Sequence, residues 1–100
     1  MPILVSYDID NDKLRLRVAN KLLEYGFMRL QRSVFLGNPA AGLWNQLYRW
    51  MQEEVHPHFT EADNVLHLQM TELQMEAMFF VPAPPSAWTE LTDPPNTLII

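Results

Sequence analysis

The sequence predicts an α+β domain, with two helices covering one face of a small antiparallel sheet in the ferredoxin-like βαββαβ plan. Three observations predict it. The chain opens on an apolar, β-rich stretch, ILVSYDI at 3–9. Two segments with helical apolar spacing follow, ending near Tyr25 and Val55. Strand-like stretches occupy 27–37, 64–70 and 75–81, between and after those helices.

Each element has a local reason. ILVSYDI reads as a largely buried strand. Asp10, Asn11 and Asp12 all suit a helix N-cap, because a short side-chain oxygen satisfies an orphan amide of the first turn. The first helix carries an apolar stripe of Leu14, Val18, Leu22 and Tyr25, widened by Ala19 and Leu23. Gly26 is placed to end it in the left-handed conformation. FMRLQRSVFLG (27–37) reads as extended, but Arg32 interrupts an otherwise apolar face. A kink near Arg32–Ser33 is therefore expected, giving one bent strand or two short ones. Asn38-Pro39 suits a cap followed by a proline near the first helical position. The second helix then runs on Leu43, Trp44, Leu47, Tyr48, Met51 and Val55, and HPHF (56–59) breaks it. NVLHLQM (64–70) is a strand, and MEAMFFV (75–81) is read as a further one. Residues 1–81 form the expected domain; 82–100 read as a proline-rich tail with a strand-like end, TLII.

Composition narrows the class. One hundred residues with 48% hydrophobic content suit one domain with one modest core. No apolar run approaches the roughly 18 residues needed to span a bilayer. The N-terminus has no basic region or cleavage-like site and reads as a strand, not a signal peptide. The chain has no cysteine, which excludes disulfides and thiolate zinc sites and fits a cytoplasmic protein.

Net charge is −5, yet the cations are concentrated. Six of the seven Lys and Arg lie at 13, 15, 17, 21, 29 and 32, and Glu24 is the only acid among them. From residue 33 onward there are eight acids and one base, Arg49. A polyanion responds to the local field and not to the total charge, so this window is a candidate phosphate-binding surface. Lys13, Arg17 and Lys21 recur at helical spacing as a stripe, while Arg15 points elsewhere, close to the strand end. A solvated helix face is the plainer alternative.

YDI at 7–9, DK at 12–13, RLRVANKLLEYGF at 15–27 and RLQRSVFLG at 29–37 strongly resemble the CRISPR-associated protein 2 family. The resemblance runs from Ile3 to about Gly37, and the C-terminal third departs from it. It implies a ferredoxin-like homodimer, described in the family as a metal-dependent endonuclease on RNA or double-stranded DNA. It also implies a scaffold role in CRISPR spacer acquisition, in which the dimer bridges two dimers of the CRISPR integrase and holds the DNA to be inserted. Nuclease activity is not universal within that family. The family's strand-end aspartate maps to Asp8, preceded by Tyr7; its helix-opening arginines map to Arg15 and Arg17; Arg29, Ser33 and Phe35 match its strand motif.

On that basis Asp8 is the candidate catalytic residue and magnesium ligand. Magnesium is held through one or two carboxylates with water and phosphate oxygens, so one chain supplies half of a two-carboxylate site if the dimer axis brings two Asp8 side chains together; the plainer alternative is that Asp8 caps the turn into the helix. Asp10 and Asp12 are helix-start residues. Lys13, Arg15, Arg17, Lys21, Arg29, Arg32 and Ser33 are the nucleic-acid candidates, with Tyr7 and Phe35 as further candidates. His56, His58 and His67 read as turn and surface residues and not as a zinc set. Trp44 and the methionines Met70, Met75 and Met78 are read as core. Trp50 and Trp88 are read as off-core aromatics suited to a protein interface, and TLII as a strand added to an exposed sheet edge. Two other readings stay open: a stand-alone toxin-type ribonuclease on a similar dimeric fold, and a non-catalytic ferredoxin-like dimer binding a protein partner.

Overall fold

The first strand, β1 (Ile3–Asp8), alternates as a half-covered strand must, with Ile3, Val5 and Tyr7 buried. The structure, a computed structural model, describes residues 1–86 and Trp88. After β1 come α1 (Asp12–Glu24), β2 (Met28–Gln31), β3 (Val34–Gly37), α2 (Ala41–Trp50), β4 (Asn64–Gln69) and a short α3 (Glu72–Glu76). The sheet order is β2-β3-β1-β4, and every neighbouring pair is antiparallel. This is the predicted ferredoxin-like arrangement.

Asn11 is the N-cap of α1, its side-chain oxygen accepting the Leu14 amide at 2.9 Å. Of the three cap candidates, the middle one holds the position. Asp12 then lies in the first turn, where a carboxylate meets the positive end of the helix dipole. At the other end Gly26 adopts φ +86°. Its amide reaches Leu23 O and that of Phe27 reaches Leu22 O, both at 3.0 Å, which is the Schellman closure. Leu14, Val18, Ala19 and Leu22 are buried as the stripe predicted. Leu23 is not part of it: the side chain is 48% exposed, because it lies too far round the helix from the sheet.

The expected kink is a turn. Arg32 and Ser33 connect β2 to β3 as a hairpin, with an irregular register between Arg29 and Gln31. The start of α2 falls later than Asn38-Pro39 implies. Ala40 is the cap, without a side-chain bond, so the Asn-Pro pair belongs to the approach and not to the helix. The helix continues through a π-helical turn, Met51–Val55, and a 3₁₀ turn, His56–His58. Trp44, Leu47, Met51 and Val55 are buried against the sheet, whereas Leu43 and Tyr48 are exposed.

Two hydrophobic clusters occupy the two sheet faces. On the helix side Ile3, Val5, Tyr7 and Phe35 pack with Leu14, Val18, Leu22, Phe27, Trp44, Leu47 and Val55. On the opposite side Leu36 packs with Met70, Met75 and Trp88, and with the half-buried Leu4, Met28 and Leu30. Trp88 is therefore core and not a free interface residue; its ring lies 4.9 Å from that of Phe80.

The predicted strand at 75–81 is absent. Thr71 opens α3 with a capping box: its hydroxyl accepts the Gln74 amide at 3.1 Å, and the Gln74 side chain accepts the Thr71 amide at 2.9 Å. The helix ends at Glu76, and Ala77–Val81 form no strand. The T-x-x-Q signature outweighs the apolar run that suggested extension. The TLII segment lies outside the described residues. Among the described residues no helix is long and apolar enough to cross a membrane.

Candidate nucleic-acid interface

Strand alternation and the two flanks of α1 sort the predicted residues into three groups. Tyr7 points to the helix side of the sheet, where its ring stacks on Phe35 at 6.0 Å. Arg29, directly across the hairpin from Phe35, lays its guanidinium over that ring at 5.0 Å. Tyr7, Arg15, Arg29 and Arg32, with Asp12, Leu16 and Ala19, line a hollow of about 270 Å³. Three arginines thus line one concavity beside the buried Tyr7; the guanidinium of Arg15 is engaged by the loop and Asp12, and Phe35 is fully buried and presents no face to a base. Such a hollow suits a phosphate. Ser33 closes the hairpin beside it, its carbonyl accepting the Tyr7 amide at 3.1 Å.

Arg15 does more than face the hollow. Its Nη1 donates to Ile9 O at 2.9 Å and to Asp10 O at 3.3 Å, and its Nη2 is paired with Asp12. The expectation that Arg15 points toward the strand end holds, and it ties down the β1–α1 loop.

The second group is the stripe. Lys13 and Arg17 share a hollow with Asn11 and His58. Arg17 and Lys21 both lie over the Trp50 ring, at 5.8 and 5.1 Å, and line a further hollow with Asn20 and Glu24. Lys21 also pairs with Glu24 at 3.6 Å. Trp50 is half-buried against the core and carries two cations, which sequence spacing alone could not show. The six cations therefore form two surfaces on opposite flanks of α1, not one track.

Asp8 stands apart from both. It ends β1, exposed, opposite Asn64 of β4, on the sheet face away from α1 and α2. Its neighbours on that face include Ser6 and Leu66. Among the described residues no three His, Asp or Glu side chains gather as a metal site. One carboxylate with open surroundings fits magnesium only when further oxygens come from a second chain or a phosphate. Asp10 and Asp12 do not join Asp8: the first bonds through its amide to Asp63, and the second through its carboxylate to Arg15.

Asp63 is a residue that sequence reading passed over. Its Oδ2 accepts the Thr60 amide at 2.8 Å, and its Oδ1 accepts the Asp10 amide at 2.9 Å. The Thr60 amide first, then that of Asp10, holds its carboxyl below the usual carboxylate range. The T-x-x-D spacing before β4 carried the local half of this signal; the long-range half had none. The histidines match the surface reading. His56 and His67 line a groove of about 330 Å³ between α2 and β4, with Tyr48 and Phe59.

With this geometry in place, the profile of the family described as CRISPR associated protein Cas2 matches residues 1–78. The chain belongs to that family. The CRISPR-associated endoribonuclease Cas2 of Aeropyrum pernix is 44% identical over 50 residues, covering 50% of this chain and 54% of the relative. The CRISPR-associated endoribonuclease Cas2 2 of Chloroflexus aurantiacus is 55% identical over 58 residues, covering 58% of this chain and 68% of the relative. The matched stretch thus spans about half to two thirds of these Cas2 relatives. The structure of Streptococcus pyogenes Cas2 at pH 6.5 superposes with a TM-score of 0.68 at 19% identity, over 81% of this chain and 99% of that one. A hypothetical protein, TT1823 from Thermus thermophilus, gives a TM-score of 0.67 at 25% identity, over 84% and 93%. The Streptococcus Cas2 likeness speaks for the fold.

Proposed function

We propose that the chain is a dimeric nucleic-acid-binding subunit of CRISPR spacer acquisition, partnered by the CRISPR integrase. In this reading it is also a magnesium-dependent endonuclease centred on Asp8. The observation that carries the reading is the convergence of Arg15, Arg29 and Arg32 around Tyr7, with the Lys13–Arg17–Lys21 stripe on the other flank of the same helix. An otherwise acidic chain places six of its seven Lys and Arg on these two surfaces.

Each residue has a distinct task. Arg29 and Arg32 hold phosphate, Arg29 with its plane seated on Phe35. Arg17 and Lys21 are spread on Trp50, which keeps two like charges close enough to track a backbone. In a dimer formed through the β4 side of that face, Asp8 and its symmetry mate would be the residues to hold the ion. Magnesium, when bound there, supplies a Lewis acid and a water of lowered pKa. The exposed Leu66 and Leu68 on that face support dimerisation through the sheet. The relatives' description as endoribonucleases favours RNA as the cleaved strand.

Replacing Asp8 with Ala tests the reading. Metal-dependent cleavage of RNA and duplex DNA should fall by about 100-fold or more while duplex affinity is kept. Undiminished cleavage by the variant would remove Asp8 from the chemistry.

A further inference from the structure

The β1–α1 loop, residues 9–11, is gripped from two directions. From α1, Arg15 donates to the carbonyls of Ile9 and Asp10. From the turn before β4, Asp63 accepts the amide of Asp10, 53 residues away in sequence, while its other oxygen accepts the Thr60 amide. The residue after Asp63, Asn64, is the register partner of Asp8. Backbone pairing thus ends at Asp8, and the carboxylate of Asp63 extends the hold past the strand terminus to Asp10. Arg15 holds this segment only by its carbonyls, so without Asp63 the Asp10 amide loses its partner and the turn after Asp8 gains freedom to tilt.

We propose that Asp63 is a positioning residue that fixes the β1 terminus and with it the direction of the Asp8 carboxylate. This rests on the reading of Asp8 as the magnesium-side group. Asp63 does not touch the ion or the nucleic acid; it acts through the Asp10 amide. The arrangement explains why an acid occupies this place: an ionised carboxylate accepts two backbone amides at once, one local and one distant, and forms stronger bonds than a neutral acceptor. A serine or threonine at this position would satisfy one of them.

The test compares the full-length wild type with Asp63→Ala and Asp63→Asn. Three quantities are read: amide hydrogen exchange at Asp10, broadening of the Asp8 resonances by Mn²⁺, and kcat and KM for cleavage of an RNA probe. In Asp63→Ala, exchange at Asp10 should accelerate, Mn²⁺ broadening at Asp8 should weaken, and kcat should fall by about 10- to 100-fold with KM unchanged. Asp63→Asn keeps one acceptor oxygen in place of two and should give values between those of the wild type and Asp63→Ala. Faster exchange at Asp10 with Mn²⁺ broadening and kcat both at wild-type levels would overturn the assignment. So would a fall in kcat matched by the fraction unfolded. A wild type that neither cleaves nor shows Mn²⁺ broadening at Asp8 removes the nuclease reading and this inference together. A wild type that does both, with an Asp63→Ala variant that equals it, removes the inference alone.

Discussion

The Phe27 ring lies against the backbone of Gly37, so closely that a Cβ at Gly37 would meet its Cγ at 2.6 Å. Gly37 ends β3 opposite Ile3, and Phe27, buried, follows the Schellman turn of α1. The turn that ends the helix and the last residue of an inner strand are thereby joined by one aromatic contact. Gly37→Ala is therefore expected to destabilise by about 1–3 kcal/mol through overpacking. That corresponds to a drop of roughly 4–8 °C in Tm per kcal/mol for a chain of this size. Gly42 is the control: nothing lies within 4 Å of a Cβ there. In α2, Gly42→Ala should hold or raise Tm by helix propensity. A thermal melt of Gly37→Ala superposing on the wild type would show that Phe27 does not occupy this place.

The first half of the fold was legible because local chemistry and tertiary packing agree there. The Asp-Asn-Asp run, the Leu14–Val18–Leu22 stripe and Gly26 each point to one helix, and the sheet confirms it with the same residues. Where they disagree, the sequence misled. MEAMFFV looks extended by apolar content, yet the Thr71–Gln74 capping box begins a helix that its first residues complete. Apolar side chains also do not say what will cover them. Trp88 reads as an off-core aromatic and is buried with Met70 and Met75, whereas Leu66 and Leu68 on the same sheet face stay exposed among the described residues. The candidate site was legible in its residue types and not in its division. Spacing placed Lys13, Arg17 and Lys21 on one stripe. That Arg15 joins Arg29 and Arg32 in a separate hollow depends on the β2–β3 hairpin docking beside α1, which no local pattern encodes.

The two helix-opening arginines should separate under mutation. Arg15 bonds two loop carbonyls and Asp12, so Arg15→Ala should lower both stability, by about 1–2 kcal/mol after allowance for partial exposure, and nucleic-acid affinity. Arg17 contacts only the Trp50 face among the interactions described, so Arg17→Ala should change stability by less than about 1 kcal/mol. It should weaken duplex binding and reduce the salt slope by about one unit. Denaturant melts with filter binding at three salt concentrations measure both. Equal stability losses in the two variants would contradict the strut assigned to Arg15.

Asp63 gives the chain an acid-sensitive contact. Its folded-state pKa is depressed by the Thr60 and Asp10 amides, so its stabilising effect is complete above the ordinary carboxylate pKa and is lost as pH falls through the folded value. The gap in Tm between the wild type and Asp63→Asn should therefore be constant from about pH 5 to 8 and close below about pH 4. A gap that stays unchanged down to pH 2 would show that the charge of Asp63 has no part in the contact.

The open sheet face carries the last prediction. Leu66 and Leu68 are 54% and 55% exposed, and they stand beside Ser6 and Leu4 in the register of β1 and β4. Leu36 and the half-buried Leu4 on the same face are already packed with Met70, Met75 and Trp88, so among the described residues of the sheet the exposed leucines of this face are those of β4, next to Asp8. A second copy seated there would bury four leucines by symmetry, each worth about 1.5–3 kcal/mol at full burial before the cost of association is subtracted. The same docking would carry the two Asp8 carboxylates toward the axis. Leu66→Lys with Leu68→Lys places like charges across that axis and should raise the dimer dissociation constant at least about 100-fold. Sedimentation equilibrium of wild type and double variant measures it, with circular dichroism to show that the monomer keeps its fold. Because the proposed ion site needs both copies, cleavage should fall in step with the dimer fraction. A double variant that dimerises as the wild type does would move the interface, and with it the paired Asp8 site, away from this face.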